Sequence, residues 1–336
     1  MIYYLVTRNH RFTMEIYLQS WGRALTPQIR IVCYEQLPCR RRWPAGTYIF
    51  SDLERLSPDQ RRAAALWWEQ LSAASGTRLL NNPSQVLRRY ELLAALAESG
   101  RNRFHVWRAR DAGRVDRFPV FLRHERDHKG SLSSLLRNQA ELSAAMARVQ
   151  AQGTLLDELL VVEFCDTVDA DGVYRKYSAF IVGGRIVPRH LIFSRGWMLK
   201  MPDLIDERKL AEERAYLDVN PHESWLREIF TLARIDYGRI DYSLLDGRPQ
   251  AWEINTNPTV MLRPHQYDPQ HLPQQEGFAR DIHAAFDAID AEPTDRSVSI
   301  RVPVALRARL QWSVWVGQVG DTTRRIMRFA KRDADA

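Results

Sequence analysis

Short apolar runs alternate with helix-spaced apolar positions over the first 80 residues. Residues 2–7 (Ile-Tyr-Tyr-Leu-Val-Thr), 29–34 and 47–50 read as strands, and residues 12–25 carry the spacing of a helix. Ser57-Pro58-Asp59-Gln60 opens another helix. Ser57 fits the N-cap, Pro58 the first helical position, and Gln60 the place of a capping-box partner. This helix runs on through Trp67, Trp68 and Leu71. The alternation predicts a small parallel-sheet lobe over residues 1–80. No Gly-x-Gly-x-x-Gly follows the first strand, so a dinucleotide-binding fingerprint is missing.

Farther along, Asn81-Asn82-Pro83 leads into a helix expected over 84–98, and 118–123 reads as a strand. Residues 124–130 are polar and run into Lys129-Gly130-Ser131, which suits a mobile loop ahead of a helix over 132–152. A buried strand is expected over 159–164. Residues 174–182 and 185–192 flank Gly183-Gly184 as a hairpin, and 206–233 is mostly helical. A last hairpin joins Arg239-Ile240-Asp241-Tyr242 to Ala251-Trp252-Glu253-Ile254-Asn255 around Asp246-Gly247. No internal repeat interrupts this order.

At 336 residues the chain can bury a sizeable core in two or three lobes. No segment reaches the roughly 18 apolar residues that cross a bilayer. The N-terminus lacks the charged lead of a signal peptide. Cys33, Cys39 and Cys165 are odd in number and show no CxxC spacing, so neither a disulfide framework nor a zinc site follows, and a cytoplasmic location is expected. The net charge of +7 is uneven. Residues 296–332 hold nine basic residues and one acidic, leaving the remainder near neutral. A nucleic-acid partner is therefore not expected for the body. The tail combines Trp312 and Trp315 with Arg324, Arg325, Arg328, Lys331 and Arg332. Such a segment can lie on an anionic membrane, although packing on the protein body is the favoured reading.

The last hairpin carries the most specific chemistry. Glu253 and Asn255 are two apart, so their side chains leave one face of a strand. A three-residue turn would set Asp241 opposite Glu253. A two-residue turn would pair it with Trp252 and put the two carboxylates on opposite faces. Two carboxylates and a carboxamide, with no Cys or His among them, suit Mg²⁺ shared with substrate phosphates.

In order of parts, residues 77–260 resemble the ATP-grasp enzymes. Asn81-Asn82-Pro83, the strand ending at Arg123, the glycine at 130, the strand ending in Glu163-Phe164-Cys165, the 174–192 hairpin and the Asp241…Glu253-x-Asn255 pair follow that family's sequence of elements. The resemblance implies an α/β (α+β) ATP-grasp fold. It would have a Rossmann-like lobe over 1–80, a lid subdomain over 81–165, a metal-bearing subdomain over 166–290 and a basic helical tail over 291–336. It implies ATP and Mg²⁺ as cofactors, with Mn²⁺ as a substitute, and Asp241, Glu253 and Asn255 as metal ligands. Arg123 and Lys176 would meet phosphates, and Glu163, Phe164 and Cys165 the adenine. Arg239 would stabilise an oxyanion, as in carboxylate–amine ligases of this fold. His190, Arg195 and Lys200 are candidates for the substrate cleft.

Two departures bear on activity. Arg123 stands where the family usually carries Lys, and the family's earlier helix Lys is missing, with Arg88 or Arg89 as substitutes. The expected function is an ADP-forming ligase joining a small-molecule or peptide carboxylate to an amine through an acylphosphate. A nucleotide-binding scaffold that has lost turnover, and an ATP-grasp kinase, are the alternatives. The oligomeric state is open, a homo-oligomer included.

Overall fold

The computed structural model describes residues 1–127, 130–199, 203–291 and 296–310. It opens with β1 (Ile2–Val6), α1 (Phe12–Gln19), β2 (Ile29–Cys33), β3 (Arg42–Pro44), β4 (Thr47–Phe50), α2 (Pro58–Ser72) and β5 (Arg78–Leu80). The strands β2-β1-β4-β5 form the expected parallel sheet. Every residue of β1 is buried, because both faces are covered. Tyr3 and Leu5 join a core with Trp67 and Leu71 of α2, whereas Ile2, Tyr4 and Val6 meet Met14 and Tyr17 of α1. Ser57 and Gln60 form the capping box at α2, with bonds of 3.3 and 3.0 Å.

α1 stops six residues short of the expected Leu25. Ser20 leaves helical geometry, and its hydroxyl donates back to the Ile16 carbonyl (2.6 Å). Gly22 then passes so close to the Tyr17 ring that a Cβ there would sit 2.5 Å from it.

Next come α3 (Arg89–Glu98), β6 (Val106–Arg108), β7 (Val120–His124), α4 (Gln139–Ala151) and β8 (Leu159–Glu163). The sheet β6-β8-β7 is antiparallel, with α4 on one face. α3 begins five residues later than expected, because Leu87 instead donates to the Ala233 carbonyl (3.0 Å). α4 begins seven residues late for a similar reason. Ser131 and Leu136 bridge to Arg123 and Val120 along β7, and Asn138 then caps the helix by accepting from the Glu141 amide (3.0 Å).

The remaining elements are β9 (Tyr174–Val182), β10 (Arg185–Ser194), α5 (Glu207–Val219), α6 (Glu223–Ala233), β11 (Tyr237–Leu245), β12 (Arg248–Asn255), α7 (Leu272–Asp287) and β13 (Ser297–Ser299). The antiparallel sheet runs β10-β9-β11-β12. The expected helical stretch divides into α5 and α6 at Asn220-Pro221, where Asn220 takes φ +45°. α7 covers the sheet, packing Phe278 at a tilt against Phe180 and joining the core of β1. β13 pairs with β3, and Ile300, Val302, Leu306 and Leu310 enter the core shared with α2. The start of the basic tail is thus part of the body, while residues 311–336 lie outside the described residues. No helix among the described residues is long and apolar enough to cross a membrane.

Candidate active site

The turn between β11 and β12 has two residues. Asp246 and Gly247 both take positive φ (50° and 73°), as a tight hairpin requires. The three-residue turn expected for a common face is therefore not formed. Leu245 to Tyr242 pair regularly with Arg248 to Ala251, and continuing that ladder would place Asp241 against Trp252. A bulge skips Trp252, so Asp241 faces Glu253 and Arg239 faces Asn255. All four side chains consequently emerge on one face of the sheet.

On the other side of β11, Ser178 of β9 pairs with Asp241, which sets Ser178 and Lys176 on that same face. The Ser178 hydroxyl donates to Asp241 Oδ1 (3.0 Å), Arg239 Nε donates to the same oxygen (3.0 Å), and Lys176 Nζ stands 3.5 Å from Oδ2. Burial pushes the Asp241 carboxyl up, but Arg239 and Lys176 outweigh it and hold it below the usual carboxylate range.

Glu253 is held from the opposite sheet. Arg123, at the end of β7, donates to its Oε2 (2.7 Å), and Arg89, from the first turn of α3, donates to the same atom. Arg89 also donates to the carbonyls of His124, Glu125 and Asp127, so it pins the chain that leaves β7. Burial and the neighbouring Arg89 push the Arg123 guanidinium down to about 10, with Glu253 opposing them. Four cations thus converge on two carboxylates. The positive excess suits a polyanion.

Arg123, Lys176, Arg239, Asp241, Glu253 and Asn255 line one end of a cleft of about 310 Å³ between the two antiparallel sheets, with Arg89 bonded to Glu253 from outside the lining. Its other end is apolar. Phe121 and Phe164 pack on Trp197 at ring distances of 5.1 and 5.6 Å, and Cys165 and Met198 complete the wall. Burial, then Glu163 and Asp166, push the Cys165 thiol up to about 12, so it lines the cleft as a neutral group. The Glu163 side chain turns away, accepting from the His105 amide (2.9 Å) and standing 3.7 Å from Arg117. Gly130 borders the cleft; His128 and Lys129, in the loop before it, are outside the described residues.

A second cavity, of about 410 Å³, adjoins the first and shares Lys176 and Arg239 with it. His190 lines this cavity. Its imidazole is pushed well below the usual value by burial and by Arg189, Arg239 and Lys176. Arg195 is exposed and lines neither cavity, and Lys200 is outside the described residues.

Asp241, Glu253 and Asn255 fit a magnesium ion by chemistry, since the set is oxygen-only and shares one face. Among the described residues no cluster of three or more His, Cys, Asp or Glu offers an alternative metal site. Sequence reasoning passed over Trp197, Ser178, Arg189 and Glu213. Ser178 was readable, since it alternates with Lys176. Arg189 was not, because a second bulge, between Pro188 and His190, removes it from regular alternation.

No family model matches the sequence, and no curated protein matches it. Solved structures with a similar layout include D-alanine–D-alanine ligase from Bacillus anthracis, at 12% identity and TM-score 0.49, covering 86% of this chain and 96% of that one. Another is D-cycloserine synthetase DcsG, at 17% identity and TM-score 0.45, covering 85% and 100%. A third is a RimK domain ATP-grasp protein from Sphaerobacter thermophilus, at 13% identity and TM-score 0.46, covering 86% and 99%. With TM-scores under 0.5, these remain likenesses only.

Proposed function

We propose that the chain is an ATP-grasp ligase that joins a carboxylate to an amine and forms ADP. One observation carries this reading: a single cleft joins an aromatic wall to an acid pair ringed by Arg89, Arg123, Lys176 and Arg239. A purine laid against the wall of Phe121, Phe164 and Trp197 would direct its phosphates toward those cations. Arg123 would hold phosphate oxygens through its planar fork, and Lys176 would neutralise them as a point charge.

Mg²⁺, or Mn²⁺ in its place, would be held by Asp241, Glu253 and Asn255 and would neutralise charge on the β- and γ-phosphates. The substrate carboxylate attacks the γ-phosphorus and ADP leaves; an amine then attacks the acyl carbon and phosphate leaves. Arg239 stands where both cavities meet and would steady the negative oxygen that forms as the amine adds. Positioning and charge neutralisation supply the rate.

A nucleotide-binding scaffold is the second reading, and one observation favours it. Arg89 and Arg123 both occupy Glu253 Oε2, so they compete with a metal for that oxygen. An ADP-release screen against pooled amino acids, peptides and hydroxy acids separates the two. Substrate-dependent ADP release that Glu253→Gln abolishes supports the ligase. Stabilisation by Mg²⁺-ATP with no release under any pool supports the scaffold.

A further inference from the structure

The second cavity contains two buried ionisable groups that the nucleotide reading does not use. Arg189, 6% exposed, is the residue that the bulge in β10 leaves unpaired. Its guanidinium donates to the Val260 carbonyl (3.2 Å), Gln275 Oε1 (2.9 Å) and the Tyr267 hydroxyl (2.9 Å), and lies 4.5 Å over the Phe278 ring. Every one of these partners is neutral. Among the described residues no carboxylate stands within ion-pair distance of it, an expensive arrangement for a buried cation. Glu213 on α5, 3% exposed, accepts from the Leu191 amide (3.3 Å) and has His271 Nε2 3.5 Å from its other oxygen. His190 Nε2 is buried without a hydrogen-bond partner. Leu204, Ile205 and Leu210 add an apolar stretch to a wall that also carries Lys209, Gln266 and Asp268.

We propose that this cavity takes the amine-bearing substrate of the ligase reaction and that this substrate is a free amino acid, its carboxylate docked on Arg189 and its amine facing Glu213. The inference rests on the ligase reading above and names the substrate class for it. The Glu213 carboxylate first takes one proton from the ammonium group and later returns it to water. The free amine then attacks the acylphosphate carbon: the C–N bond forms, the C–O bond to phosphate breaks, and the second proton leaves with phosphate. A carboxyl with its affinity for a proton raised by burial suits that exchange. The stretch formed by Leu204, Ile205 and Leu210 favours an aliphatic side chain.

The test is calorimetric titration of the full chain with each common amino acid and its matched 2-hydroxy acid, with and without Mg²⁺ and a non-hydrolysable ATP analogue. One or a few aliphatic amino acids should bind, with the hydroxy acid at least tenfold weaker. Arg189→Met should weaken amino-acid binding at least tenfold and leave nucleotide binding within twofold. Glu213→Gln is isosteric and preserves the fold if Arg189→Met does not; it should erase the preference for amine over hydroxyl. No amino-acid binding under either condition, unchanged binding in Arg189→Met, or an intact amine preference in Glu213→Gln overturns the proposal. Amino acids that bind while releasing no ADP would sink the ligase reading and leave this site standing. ADP release driven by other compounds, with no amino acid bound, would sink the site alone.

Discussion

Asp241 and Glu253 face each other across β11 and β12 because Trp252 is bulged out between two otherwise regular stretches of ladder. A two-residue turn and a one-residue bulge each shift the register by one position, and together they restore a common face. The indole is not idle there: its Nε1 donates to the Ser243 hydroxyl (2.9 Å), and its ring stacks on Phe104 at 5.0 Å.

Glu253 also holds two guanidiniums whose side chains are 4% and 11% exposed. Glu253→Ala removes their shared carboxylate, and stability should fall by about 3–5 kcal/mol, the usual consequence of breaking a buried ion pair. Glu253→Gln keeps an acceptor and should fall less. Urea denaturation of both variants checks this, and equal midpoints for wild type and Glu253→Ala would refute it.

Arg239→Ala should lower kcat about 10²–10³-fold, in the range expected when a donor to a developing oxyanion is lost. The dissociation constant for Mg²⁺-ATP should change little. If the loss falls on nucleotide affinity instead, Arg239 serves the phosphates.

Trp197→Ala should weaken ATP binding roughly tenfold or more through lost base stacking. Inorganic triphosphate, which has no base, should bind the variant as it binds the wild type. Parallel losses for both ligands would place the base somewhere other than the aromatic wall.

Burial lifts the Glu213 carboxyl up to about 7, with the Leu191 amide and Arg189 opposing it. The folded protein therefore keeps a proton that the unfolded chain gives up at lower pH. Its stabilising contribution is complete below the ordinary glutamate range and is lost as pH rises through about 7. Between about pH 5 and 8, the melting temperature of the wild type should drop by a few degrees relative to Glu213→Gln. Superimposable profiles would show that Glu213 titrates normally.

Much of this architecture was legible from local patterns. The parallel lobe, the capping box at Ser57, the Gly183-Gly184 hairpin and the acid-bearing hairpin all rest on period-two alternation or on cap chemistry. The errors cluster where tertiary contacts override helical spacing. Residues 132–138 have helical composition, yet Ser131 and Leu136 bond to β7, and Asn138 starts the helix seven residues late. Both bulges escaped notice for a different reason: a bulge is settled by what lies across the ladder, and neither Arg189 nor Trp252 carries a local mark of it. Glu213 lies in a run of charged residues on α5, and its burial follows only from where β10 and α7 lie.

Lys176 and Arg239 form a partition common to both cavities, while Leu204, Ile205 and Leu210 border the second one alone. The molecule is therefore modular at the scale of single side chains. If the first cavity takes the nucleotide as proposed, its lining can stay constant while three aliphatic positions of the second are recut for a new guest. A library randomised at those positions alone would be the economical route to altered selectivity, since none of them lines the first cavity.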